Sequence, residues 1–195
     1  MSSVQRDTLT PELLLAAYSQ GYFPMAEDDD VYWHWPDPRG IIPLDGAKIS
    51  RSLRQVLKKG IFTTTIDSCF KTVMERCAAR QSTWISDEFI HSYTQLHERG
   101  NAHSVETWHN GELVGGLYGV AIGGAFFGES MFSTMSDASK VAFARLVEIL
   151  KNGGFILLDT QYINPHTESL GAIEIPGFMY ASTLQKALML RCAFK

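Results

Sequence analysis

The sequence predicts an α+β protein: a mixed sheet with flanking helices, preceded by a small N-terminal α/β region. Three observations carry this. Residues 103–129 alternate strand-like runs with two tight turns, Asn110-Gly111 and Gly123-Gly124, as a β-meander does. Residues 137–150 follow the helical period and stop at Gly153-Gly154. Residues 155–158 are continuously apolar and end in Asp159, which reads as a short buried strand. The expected division is 1–60 for the N-terminal region and 61–195 for the main domain.

In chain order, Thr10-Pro11-Glu12 reads as an N-cap followed by Pro at the first helical position, with Gly21 as the stop. Residues 24–47 carry four prolines and an acidic run and read as an irregular, aromatic-rich connection. Ser50 caps a short basic helix over 51–59, and Gly60 ends it. Residues 62–66 are β-branched and read as a strand. Asp67 is expected to cap a helix reaching about residue 80, and Ser86 another over 87–99. The second meander strand, 113–122, contains Gly115, Gly116 and Gly119. Glycines there weaken pairing unless a bulge or close backbone approach needs them. A short strand over 173–175 and a helix over 179–190 complete the chain.

The 195 residues carry 17 bases and 21 acids, net −4. That average hides a block. Residues 1–37 are net −6, residues 38–80 are net +6, and the remainder is net −4. Either solvated helix faces or a polyanionic partner accounts for the basic block. Three cysteines without a C-x-x-C suggest neither a disulfide framework nor a zinc site. There is no Walker A loop and no dinucleotide-binding glycine motif after a strand. No apolar run is long enough to span a membrane. The composition reads as a cytoplasmic globular chain without metal or cofactor.

Few residues stand out as carriers of chemistry. Glu129 ends a strand in an apolar setting and must find a partner or a substrate. Asp159 ends the apolar strand, and Gln161 follows at i+2, on the same face if the strand continues. For these residues, a satisfied strand-end group and a substrate-facing group both remain open. Phe126, Phe143 and Leu158 are most simply core. A bulged sheet with a helix behind it is the layout of the acyltransferase superfamily that uses coenzyme A thioesters. The loop before the 137–150 helix, however, lacks a convincing pyrophosphate-cradling signature.

Taken together, the ordered motifs resemble the leucyl/phenylalanyl-tRNA–protein transferase family. They are Gly21-Tyr22-Phe23-Pro24, Pro36-Asp37-Pro38-Arg39, Ile49-Ser50-Arg51-Ser52 and Thr83-Trp84-Ile85. Then come His103-Ser104-Val105-Glu106-Thr107-Trp108, Leu113-Val114-Gly115-Gly116-Leu117-Tyr118-Gly119 and Gly128-Glu129-Ser130-Met131-Phe132-Ser133. Ala138-Ser139-Lys140, Asp159-Thr160-Gln161 and the stretch from His166 to Pro176 close the series. Longer members carry a further N-G-L-L-A-like stretch near the N-terminus that is absent here. The resemblance implies a GNAT-like acyltransferase domain over 61–195. It implies transfer of Leu, Phe or Met from aminoacyl-tRNA to proteins with N-terminal Arg or Lys, marking them for degradation, with no cofactor. It implies a catalytic pair, Asp159 and Gln161, and places Glu129 against the adenosine or the cationic acceptor. Met25 and Trp84 would flank the adenosine. Leu117, Phe126, Phe143, Leu150 and Leu158 would line the aminoacyl pocket. Arg39, Arg51, Arg54, Lys58 and Lys59, from the basic block, are then the expected tRNA contacts. A coenzyme-A-dependent N-acetyltransferase and a non-catalytic RNA-binding protein are the competing readings.

Overall fold

The computed structural model describes residues 9–27, 30–80 and 83–195. Asp7, Asp28 and Asp29 of the acidic N-terminal stretch lie outside the described residues. Helix α1 (Pro11–Ser19) begins as expected, with the Thr10 hydroxyl accepting from the Leu13 N–H. Gly21 follows at φ +84°, a left-handed turn that suits glycine. The stretch expected to be irregular instead forms three strands. β1 (Phe23–Glu27) and β2 (Asp30–His34) make a separate two-stranded ribbon. Every strand of such a ribbon is an edge, so Pro24 is tolerated without a donor. β3 (Arg39–Ile41) joins the main sheet after a cis Asp37-Pro38 bond.

A 3-10 turn (Leu44–Gly46) leads to α2 (Arg51–Lys59), capped by Ser50 and ended by left-handed Gly60. β4 (Thr63–Ile66) follows, then α3 (Phe70–Ala78) and α4 (Asp87–Glu98). Asp67 does not cap α3, contrary to expectation. Its carboxylate accepts from the Ser104 N–H at 2.8 Å and lies 2.7 Å from His103 Nδ1, so a tertiary contact outcompetes the local cap. β5 (Ala102–His109), β6 (Glu112–Ile122) and β7 (Ala125–Ser133) form the expected meander. Then come α5 (Ala138–Asn152), β8 (Leu157–Gln161), α6 (Pro165–Ser169), β9 (Ile173–Ile175) and α7 (Gly177–Leu188). Helix α6 is not among the elements expected from sequence, although Asn164-Pro165 is a cap-plus-Pro signature and Asn164 accepts from two of its N–H groups.

Seven strands form the main sheet in the order β4-β5-β6-β7-β8-β3-β9. All neighbours are antiparallel except β7 and β8, which α5 connects. This is the mixed sheet with flanking helices that the sequence predicts. Helix α5 packs against β5 and β6, close enough that a Cβ on Gly115 would meet Ala138 at 2.7 Å. Helices α3 and α4 contact the sheet as well, and the core divides into two principal clusters. One includes Tyr18, Phe23, Phe89, Tyr93 and Tyr180; the other includes Leu117, Phe126, Phe143, Leu150 and Leu158.

Two features open the sheet in its middle. β7 pairs with β8 only from Ala125 to Phe127, although both strands run further. On its other side, β7 matches Ser130 to Tyr118 and Gly128 to Gly119, leaving Glu129 without a partner on β6. Glu129 is therefore the extra residue of a β-bulge, which re-aims its side chain. The bulge expected near Gly115–Gly119 is present. Gly119 is required there, since a Cβ would run into the Phe127 carbonyl and the Phe126 ring.

Candidate functional site

A cleft of about 750 Å³ opens where β7 and β8 part. Its lining draws on both core clusters. Ile42, Leu117, Phe143, Leu146, Leu158 and Leu170 belong to the α5 side, and Phe23, Met25, Trp84 and Phe132 to the other. Glu129 from β7 and Gln161 from β8 lie on opposite banks, with the Gln161 Nε2 donating to Glu129 Oε1 at 3.1 Å. Gln161 sits at φ +59°, so β8 does not continue through it as regular strand. Its side chain turns to Glu129, while that of Asp159 is buried elsewhere. The i, i+2 spacing thus does not place the two on one face.

The same Glu129 oxygen accepts from the Tyr18 hydroxyl at 2.6 Å. With that proton committed, the Tyr93 hydroxyl donates to Tyr18. Both phenols are raised well above their ordinary range, chiefly by burial. Burial also pushes the Glu129 carboxyl up to about 8, against the Tyr18 hydrogen bond, with the Asp159 charge adding to the rise. The hydroxyls of Tyr118 and Thr160 are buried without a hydrogen-bond partner among the described residues, and both residues line the cleft.

Asp159 is fully buried, and its carboxylate accepts four hydrogen bonds. Arg39 donates through Nε at 2.9 Å and Nη2 at 2.7 Å, the Tyr180 hydroxyl at 2.6 Å and the Gln161 N–H at 2.8 Å. Arg39 also donates to the Gly21 carbonyl and stacks on the rings of Phe23 and Tyr180, 4.9 and 4.4 Å from their centroids. A bidentate guanidinium with further donors is the arrangement that makes a buried charge tolerable. It fixes the backbone from which the Gln161 side chain projects.

A family model described as leucyl/phenylalanyl-tRNA protein transferase matches residues 41–185, and its N-terminal-domain model matches residues 7–37. The chain belongs to the leucyl/phenylalanyl-tRNA–protein transferase family. The relative of that name from Herpetosiphon aurantiacus is 52% identical over 187 residues, covering 95% of this chain and 98% of its own. The one from Gloeobacter violaceus is 52% identical over 190 residues, covering 96% and 98%. Among solved structures, L-PGS from Bacillus licheniformis superposes with a TM-score of 0.46 at 14% identity, over 79% of this chain and 50% of that one. A GCN5-related N-acetyltransferase-like protein from Streptococcus suis gives 0.37 at 11% identity, over 83% and 63%.

Measured against the roles that the transferase family implies, the structure sorts the residues. Glu129, Gln161, Met25, Trp84, Leu117, Phe143 and Leu158 all meet at the cleft. Phe126 and Leu150 do not. Both are fully buried and absent from the lining, so they pack the wall from behind. Ile42, Leu146 and Leu170 stand in the lining in their place. Arg39 is also corrected: its guanidinium is spent inside the protein on Asp159 and cannot reach a phosphate. Arg51, Arg54, Lys58 and Lys59 are exposed on α2, and none forms an ion pair among the described residues. Trp35 packs edge-on against Tyr180 and donates to the Gln20 carbonyl. The residues that sequence reasoning missed are Tyr18, Tyr93, Tyr180 and the internal role of Arg39. Nothing in their local sequence marks them, because each meets its partner across more than 20 positions.

Proposed function

We propose that this protein moves Leu, Phe or Met from the 3′-terminal adenosine of aminoacyl-tRNA to the α-amino group of proteins that begin with Arg or Lys. One observation carries this reading: a polar pair, Glu129 and Gln161, lines one cleft together with apolar side chains of the α5 side and with Met25 and Trp84. The apolar lining suits a Leu, Phe or Met side chain, Met25 and Trp84 suit a base, and the polar pair suits the ester. The exposed cations of α2 suit the body of the tRNA.

The ester is already activated, so no further energy source is needed. The acceptor amine attacks the ester carbonyl carbon, the carbon–oxygen bond to the ribose breaks, and an amide forms. One proton must pass from the amine to the departing ribose oxygen. An α-amino group has a reference pKa of about 7.7–8.0, so roughly a tenth is free at neutral pH. A carboxyl at about 8 is matched to that proton, and the ionised fraction of Glu129 takes it from the amine and returns it to the ribose oxygen. Gln161 donates its amide N–H to Glu129, which leaves its carbonyl oxygen to hold an amine N–H. Asp159 has no free oxygen and acts as a positioning residue through the Gln161 backbone and Arg39. Positioning of this kind contributes up to about 7–11 kcal/mol in favourable intramolecular reactions.

The test is transfer of labelled Leu, Phe and Met from charged tRNA to peptides that begin with Arg, Lys or Ala. The expected result is product with Arg and Lys only. Absence of transfer by protein that still binds the charged tRNA overturns the reading.

A further inference from the structure

The cleft has a second polar cluster, beyond Glu129 along β7. Arg76 on α3, Arg80 just after it and His166 on α6 all line the cleft. Two of them converge on one residue from different elements. Arg80 donates to the Met131 carbonyl and lies 3.4 Å from Ser130 Oγ, and His166 Nε2 lies 2.8 Å from Met131 Sδ. Lys140, in the first turn of α5, bears on the same spot. After burial, its charge and that of Arg80 are what hold the His166 imidazole below its ordinary range. The ring is therefore neutral at pH 7 and offers an N–H rather than a charge.

Counter-charge is scarce. Lys140 pairs with Asp137 at 3.2 Å. Arg76 and Arg80 have no ion pair among the described residues, and Arg80 meets only neutral acceptors. Glu129 is the single carboxylate in the described lining, and at about 8 it is largely protonated near neutral pH. Like charges gathered at a cleft mouth focus the field on an incoming anion. Met131 stands two residues beyond Glu129, about 7 Å along the strand. That is the width of one ribose from where the ester is handled.

We propose that Arg76, Arg80 and His166, backed by Lys140, bind the phosphodiester on the 5′ side of the terminal adenosine. The proposal rests on the reading that the ester reacts at Glu129 and Gln161. It assigns the cleft its own phosphate site, separate from the exposed cations of α2.

The experiment compares kcat/KM for two small donors, phenylalanyl-adenosine and phenylalanyl-cytidylyl-adenosine, with an Arg-initiated peptide as acceptor. The second donor adds the phosphodiester. Wild-type protein is expected to prefer it by roughly tenfold or more. Arg80→Ala and the double variant Arg76→Ala/Arg80→Ala should shrink that ratio stepwise toward one, and Arg80→Lys should restore part of it. These side chains are exposed, so folding is not at stake. Equal use of both donors by the wild type, or an unchanged ratio in the double variant, overturns the phosphate site while leaving the transferase reading intact. Failure with both donors and with intact charged tRNA overturns the parent reading and this one with it.

Discussion

Glu129 shows how one residue's chemistry depends on where the chain puts it. In sequence it is an acid at a strand end. In the fold it is the odd residue of a bulge, lodged beside two phenols, and burial drives its carboxyl from 4.5 to about 8. The sign of the consequence follows from linkage. Between those two values the folded protein keeps a proton that the unfolded chain releases, so stability falls as pH rises through that window. The slope is at most about 1.4 kcal/mol per pH unit for one group. Glu129→Gln carries no such proton and should flatten this part of the profile. Melting temperatures of wild type and variant between pH 5 and 8 test it. A constant difference across the range would remove Glu129 as the titrating group. Activity alone cannot isolate it, because the acceptor amine titrates in the same range.

At the scale of elements, the Arg39–Asp159 pair joins segments that the sequence keeps far apart. Arg39 on β3 ties the Gly21 turn and Phe23 of β1 to Asp159 on β8 and Tyr180 on α7. Arg39→Ala would strand a buried carboxylate, and loss of one partner of such a pair costs about 3–5 kcal/mol. Arg39→Lys should also lose much of this, because an ammonium cannot donate bidentately or stack on both rings. Urea unfolding is the measurement, and a loss below about 1 kcal/mol for Arg39→Ala would contradict the pairing. A surface cation would give that small value, so the same experiment separates the buried role from a phosphate-binding one. The opening of the sheet is likewise a matter of elements. Gly119 faces the Phe127 carbonyl so closely that no side chain fits, whereas a Cβ on Gly128, beside the gap to β8, would find its nearest neighbour at 3.4 Å.

Across the whole molecule, charge is arranged by surface rather than by sum. The net charge of −4 hides four cations on α2, which buries Leu53 against Val141 and Ala144 of α5 and turns Arg51, Arg54, Lys58 and Lys59 outward. Replacing these four by Gln should weaken tRNA binding. It should also reduce the slope of log affinity against log salt by up to about one for each phosphate no longer neutralised. Filter binding at several salt concentrations reads this directly. An unchanged slope would make α2 a merely solvated face. Among the described residues, no helix is long and apolar enough to cross a membrane.

Much of this architecture is local in origin and so is legible in the sequence. Thr10, Ser50 and Ser86 cap helices because a hydroxyl can reach an N–H three residues on. Asn110 and Gly111 turn the meander because both adopt positive φ. Gly119 marks the bulge, and Asp159, Gln161 and Glu129 are singled out by their positions at strand ends. The 24–47 stretch departs from its irregular local pattern because its strands answer to pairing partners, β3 above all. Local sequence sets the helix caps, the meander turns, the family motifs and the residue types of the cleft. Long-range packing sets that Arg39 points inward, that Phe126 and Leu150 stand behind the wall, and that burial keeps a proton on Glu129 against the pull of the Tyr18 hydrogen bond. Those decisions depend on burial and on contacts across 75 to 120 positions, and no local spacing encodes them.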